Sequence, residues 1–183
     1  MHTTKIDQTA KSRRRRRLNA AVAGALAMLT VAAVPSLASA TQSLNSVSVA
    51  SPASNGVLAL DVSGASTVPG APVIQWLRNG GSNQRWNFVA LSNGYEQIVN
   101  QNSGQCLTSD GVAGHWVYQW PCDNSNPHQQ WEGDLGSVWS SMNGLQNRAS
   151  ALWLDVAGDA YWPGAHLITW YWNATLGEAF GIQ

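Results

Sequence analysis

The chain has 183 residues, with ten Lys and Arg balanced by ten Asp and Glu for a formal net charge of zero. That balance is a property of the whole chain only. Both lysines and five of the eight arginines lie in the first 17 residues, leaving Arg78, Arg85 and Arg148 against nine carboxylates beyond residue 40. No basic stripe remains to neutralise phosphates, which excludes a nucleic-acid partner.

Residues 1–40 open with Lys5, Lys11 and the run Arg13 to Arg17, continue through an Ala/Val/Leu stretch and reach Pro35 and the small-residue triplet Ala38, Ser39, Ala40. This is the order of a secretory signal peptide, with cleavage expected after Ala40. The apolar run from Ala20 to Val34 falls short of the ~20 residues of a spanning helix, so no stable membrane insertion is expected after cleavage. Arg15, Arg16 and Leu18 match part of a twin-arginine pattern, which five consecutive arginines do easily. The export route, general secretory or twin-arginine, stays open. Export makes the protein secreted and extracellular.

Residues 41–183 carry all ten tryptophans, much Gly, Asn, Ser and Gln, and only two cysteines. One all-β domain of short strands fits this length and composition. Leu58, Leu60 and Val62 alternate with Ala59 and Asp61, and Leu152, Leu154 and Val156 with Trp153 and Asp155. Period two predicts strands with leucines inward and the aspartate outward. Asn93-Gly94 and Asn143-Gly144 predict hairpin turns, and no stretch shows sustained helical periodicity.

Three repeats follow one another, at about residues 46–88, 89–134 and 135–183. The first carries LDV at Leu60 to Val62, the second CLTS at Cys106 to Ser109, the third LDV at Leu154 to Val156. Each continues to a strand ending in Trp76, Trp120 or Trp170 and closes on a corner: NQRW (Asn83 to Trp86), HQQW (His128 to Trp131) or GEAF (Gly177 to Phe180). Repeats this short cannot bury an apolar face alone, so three are expected to close on one shared core.

Cys106 and Cys122 are expected to form a disulfide in an oxidising compartment, worth roughly 3 kcal/mol by chain entropy. Two cysteines without histidines at ligand spacing would leave zinc under-coordinated, so no metal is expected, and no cofactor. The equivalent positions are Ala59 and Arg78 in the first repeat and Trp153 and Trp172 in the third. The two tryptophans are expected to pack where the disulfide would lie.

The Q-x-W corners (Gln84/Trp86, Gln129/Trp131 and the degenerate Glu178/Phe180), the SGQCL stretch at Ser103 to Leu107 and the LDV segments resemble the ricin B-type lectins, or family 13 carbohydrate-binding modules. The resemblance covers essentially residues 46–183. It implies a β-trefoil with up to one shallow sugar site per repeat, and Trp86, Trp131 and Phe180 in the shared core.

A pyranose presents an apolar C–H face and a rim of hydroxyls, so its site needs an aromatic platform and a few fixed polar groups. Trp76 can stack, and Asp61 can accept charge-assisted hydrogen bonds from vicinal hydroxyls. By resemblance Asn83 contacts sugar and Gln84 steadies the aspartate, making the first repeat complete. Ile74 stands where many relatives have a polar residue, so sugar preference stays open. The third repeat keeps Asp155 and Trp170 but has Gly177 and Glu178 in place of Asn-Gln. In the second, Thr108 occupies the aspartate position and the loop is three residues shorter, so that site is expected to be lost, unless Asp110 substitutes.

The resulting expectation is a secreted, non-catalytic lectin for galactose-, lactose- or xylan-type glycans. Glycosidases need two carboxylates across a cleft, whereas these acids are scattered; no nucleophile–base motif is visible. Rival readings are a trefoil binding protein or protease inhibitor, and an accessory binding subunit of a separate glycoside hydrolase. His115, His128 and His166 read as surface or structural residues.

Overall fold

The computed structural model describes residues 44–50, 56–133 and 144–182. The expected signal peptide, Asn143 of the second turn signal and Trp139 lie outside them. Thirteen short strands carry the fold, and among the described residues the only helices are single 3-10 turns. None of the described helices is long and apolar enough to cross a membrane.

The first repeat supplies β1 (Leu44–Val47), β2 (Val49–Ala50), β3 (Leu58–Val62), β4 (Val73–Leu77) and β5 (Trp86–Ala90). The second supplies β6 (Glu96–Asn100), β7 (Cys106–Thr108), β8 (Tyr118–Trp120) and β9 (Trp131–Glu132). The third holds β10 (Gln146–Asn147), β11 (Trp153–Val156), β12 (Leu167–Trp170) and β13 (Gly181–Ile182). All named pairings are antiparallel, and β13 returns to pair with β2 through Gly181↔Ala50 and Ile182↔Val49, joining the end of the domain to its beginning. The Asn93-Gly94 turn joins β5 to β6, with Gly94 at φ 87°, where the missing Cβ removes the steric cost.

One shared core is built from equivalent residues: Leu60, Leu107 and Leu154; Val73, Val117 and Leu167; Trp86, Trp131 and Phe180. The buried indoles need hydrogen-bond acceptors. Trp86 donates to the Leu60 carbonyl at 3.2 Å and Trp131 to the Leu107 carbonyl at 3.0 Å. Phe180 fills the third place without an N–H to satisfy.

The repeats are tied by a cycle of buried polar side chains. Gln119 of the second repeat donates to the Ser66 and Val68 carbonyls of the first, at 2.9 and 3.0 Å. Gln75 of the first donates to Ala160 and Trp162 carbonyls of the third, at 2.7 and 3.1 Å. Thr169 of the third closes the ring, donating to the Val112 carbonyl of the second at 3.4 Å. Backbone bonds follow the same circuit, from the N–H groups of Gly70, Gly114 and Gly164 to the Gln119, Thr169 and Gln75 carbonyls, each 2.8 Å. Buried side-chain donors paired in this way fix one arrangement, because slipping would strand them in the interior.

The cysteines form the disulfide, with Cα atoms 5.1 Å apart. In the third repeat Trp153 and Trp172 do pack at the equivalent place, with ring centroids 4.7 Å apart and planes at 55°.

Candidate functional site

The first repeat gathers its predicted residues in one place. Register pairs Asp61 with Ile74 and Ala59 with Trp76 across β3 and β4, putting all four on the face turned from the core. The turn Ser63–Ala65 then folds back over that face, with Gly64 and Ala65 both at positive φ (65° and 50°). Asp61, Ser63, Gly64, Ala65, Ile74, Trp76, Asn79 and Asn83 enclose an open recess of about 430 Å³.

Asp61 was expected outward, and it is on the outer face, but it is only 3% exposed. The reason is the corner that follows β4, which roofs it. Gln84 donates to Asp61 Oδ2 at 2.7 Å and to the Leu77 carbonyl at 2.9 Å, while its own Oε1 accepts the Asn79 N–H at 3.0 Å. One amide thus saturates itself and orients the carboxylate. Asn83 is anchored through Nδ2 to the Val62 carbonyl at 3.3 Å, and Asn100 holds the Asn83 carbonyl at 3.0 Å. Burial pushes the Asp61 carboxyl above its ordinary range, and the bonds from Gln84 and Asn83 pull it back part of the way. Trp76 remains 42% exposed at the rim, an indole face available for stacking.

The third repeat reproduces the frame and changes its electrostatics. Asp155 pairs with Ile168 and Trp153 with Trp170, and Asp155, Gly158, Asp159, Ile168, Trp170 and Asn173 line a recess of about 310 Å³. Glu178 sits fully buried where Gln84 sits in the first repeat. Its oxygens accept the Asn173 N–H at 3.0 and 3.1 Å and the Ala174 N–H at 2.9 Å, so as a carboxylate it has nothing to donate to Asp155. Asp155 Oδ1 is consequently buried without a partner. Burial, offset in part by the Val156 N–H and reinforced by Glu178 and Asp159, pushes the Asp155 carboxyl up to about 6.

The second repeat has no carboxylate at the position of Asp61 and Asp155. Thr108 is buried, donates its hydroxyl to the Cys106 carbonyl at 2.9 Å and receives the Gln129 amide at 3.2 Å. Gln129 otherwise repeats Gln84, donating to the Pro121 carbonyl and accepting the Asp123 N–H. Asp110 does not take the vacant role: it is bonded to His115 Nδ1 at 2.6 Å and accepts the Val112 N–H at 2.9 Å. Burial works to raise its carboxyl, but those two bonds together with the electrostatic influence of His115 and His128 hold it below the ordinary range. His166 stacks on Trp116 at 3.7 Å with nearly parallel planes, a packing role.

Sequence reading missed Asn79 and Asn173 as recess residues. The available signal was their common offset of three from Trp76 and Trp170.

Thirteen short strands among the described residues, closed around one core with repeated aspartate–tryptophan recesses on the outside, define a β-trefoil. The family model described as ricin-type beta-trefoil lectin domain-like matches residues 36–113 and 82–170, and the chain belongs to that family. Among solved structures it is similar to the designed three-fold symmetric protein ThreeFoil, at 32% identity over 74% of this chain and 96% of that one, with a TM-score of 0.68. The C-half of an earthworm R-type lectin, solved in complex with GalNAc, matches at 22% identity over 76% and 98%, TM-score 0.58. An exo-beta-1,3-galactanase from Clostridium thermocellum matches at 23% identity over 75% of this chain but only 30% of the enzyme, TM-score 0.68. The last two likenesses concern the fold. No curated protein sequence gives a significant match.

Proposed function

We propose that the protein is a secreted, non-catalytic lectin whose first repeat binds a galactose-, lactose- or xylan-type sugar. The observation that carries this reading is the joint presence around one recess of an amide-oriented carboxylate, Asp61, an exposed platform, Trp76, and two asparagines, Asn79 and Asn83. Asp61 accepts hydroxyl protons, Trp76 covers the apolar sugar face, and Gln84 acts through Asp61 as a positioning residue. The GalNAc complex of the earthworm lectin supports a galactose-type ligand. The third repeat, with Asp155 and Trp170 but no donor amide, is a weaker second site. So shallow a recess binds one sugar with an affinity near the millimolar range, ~4 kcal/mol, and gains on polymers by avidity.

The test is a glycan array and titration calorimetry on residues 41–183 beside Asp61→Asn and Trp76→Ala. Each substitution should reduce binding at least about tenfold while leaving the melting temperature within a few degrees. Unchanged binding in both variants would remove the first recess from the mechanism. Absence of any glycan signal would favour a protein partner. The galactanase likeness favours one second reading, service as the binding module of a separate hydrolase. Co-immobilisation of that hydrolase's polymer with this protein, and the absence of released sugar from this protein alone, is the outcome it requires.

A further inference from the structure

We propose that the binding site of the first repeat extends across the repeat boundary onto Tyr161 and Trp162 of the third, forming a second aromatic subsite for the next sugar of an oligosaccharide chain. The inference rests on the reading of the first recess as a sugar site and adds a preference for chain length.

The loop that carries these rings is fastened beside the platform. Gln75, the residue before Trp76, donates to the Trp162 carbonyl at 3.1 Å, and the Gly164 N–H donates back to the Gln75 carbonyl at 2.8 Å. Gly164 is so close that a Cβ there would lie 3.5 Å from Trp76 Cζ3. Tryptophan 76 and the 161–164 loop are therefore adjacent surfaces of one seam, although 86 residues separate Trp76 from Trp162 in the chain.

All three seams are built alike, which isolates what is special about this one. The carbonyls held by Gln119, Thr169 and Gln75 belong to Val68, Val112 and Trp162. The glycines two residues later, Gly70, Gly114 and Gly164, face Trp120, Trp170 and Trp76 respectively. Two of the seams thus place an exposed valine beside the platform. The third places a tryptophan, 56% exposed, preceded by a tyrosine that is 71% exposed. Large exposed aromatics are costly to leave in water without a use. At the position of those valines, an aromatic occurs only at the seam whose platform also has an aspartate steadied by glutamine.

The ring geometry narrows the occupant. Tyr161 and Trp162 have centroids 5.7 Å apart and planes at 73°, forming a corner rather than a flat strip. One ring faces a sugar and the other stands at its edge, a shape for a single pyranose unit rather than for a helix or an extended peptide strand. The fastening of the loop beside Trp76 places that unit next to a sugar stacked on the platform.

The decisive variant is Trp162→Val, which installs the residue type already present at the two equivalent positions and therefore keeps the fold. Residues 41–183 and this variant are titrated with a monosaccharide and with its linear di-, tri- and tetrasaccharides, galacto- and xylo-series, beside Asp61→Asn. Wild type should gain affinity from mono- to trisaccharide, and Trp162→Val should lose roughly five- to tenfold for the longer chains with monosaccharide affinity unchanged. Equal oligosaccharide affinity in the variant and wild type, with Asp61-dependent monosaccharide binding intact, would overturn the extension alone. Equal loss for monosaccharide and oligosaccharide would do so too, since Trp162 would then be part of the primary recess. If no sugar of any length binds in an Asp61-dependent way, the lectin reading of the first repeat falls and the extension with it.

Discussion

The exchange of Gln84 in the first corner for Glu178 in the third sets the electrostatics of the two recesses apart. Gln84 gives its amide protons to Asp61 and Leu77, whereas Glu178 spends both oxygens on backbone N–H groups and leaves Asp155 Oδ1 unpaired. The Asp155 carboxyl is raised in the folded protein to about 6, against its ordinary 3.8. Its contribution to stability is therefore full below pH 3.8 and is lost as pH rises through about 6. Asp155→Asn should accordingly stabilise the protein at pH 7.5 by on the order of 1–3 kcal/mol, and the gain should fade below pH 4; parallel urea melts at the two pH values check it. Glu178→Gln should also stabilise at neutral pH and lower the Asp155 carboxyl, read from its carboxyl carbon shift on titration. A raised value unchanged in Glu178→Gln would assign the effect to burial and Asp159.

At the level of elements, strands and repeats were legible because they are written in residue type and spacing. The alternation around Leu60 and Leu154 marks β3 and β11, and the equal distances from Asp61 to Trp76 and Asp155 to Trp170 mark corresponding places in two repeats. The joint loss of both cysteine positions outside the second repeat foretold the Trp153–Trp172 contact. What could not be read is the polar cycle of Gln75, Gln119 and Thr169. Its acceptors are backbone carbonyls as far as 87 residues away, and a carbonyl leaves no residue-type signature. The burial of Asp61 was hidden for a related reason, because its roof comes from Gln84, 23 residues on. Replacing Cys106 and Cys122 together by alanine should cost about 2–4 kcal/mol in denaturant unfolding, since nothing else cross-links β7 to the segment after β8 covalently. A loss below 0.5 kcal/mol would mean that the flanking packing already restrains that segment in the unfolded chain.

For the whole molecule, closure matters more than order along the chain. The pairing of β2 with β13 brings Val49 and Ile182 together, and the Asn93-Gly94 turn lies between β5 and β6 on the opposite side of the sequence. A circular permutant that joins residue 182 to residue 44 through a glycine-rich linker and opens at Asn93-Gly94 should fold with the same strand content and retain sugar binding, measured by circular dichroism and calorimetry. Failure of that permutant to fold would show that the β5–β6 hairpin must form as a connected unit.

The contact of Trp76 with the Gly164 loop has a consequence for how such proteins diversify. The platform of the first repeat rests against a loop of the third, so exchanging the third repeat for another would change what stands beside Trp76 without touching Asp61, Trp76 or Gln84. Three such junctions can drift apart while the residues that define the fold stay alike.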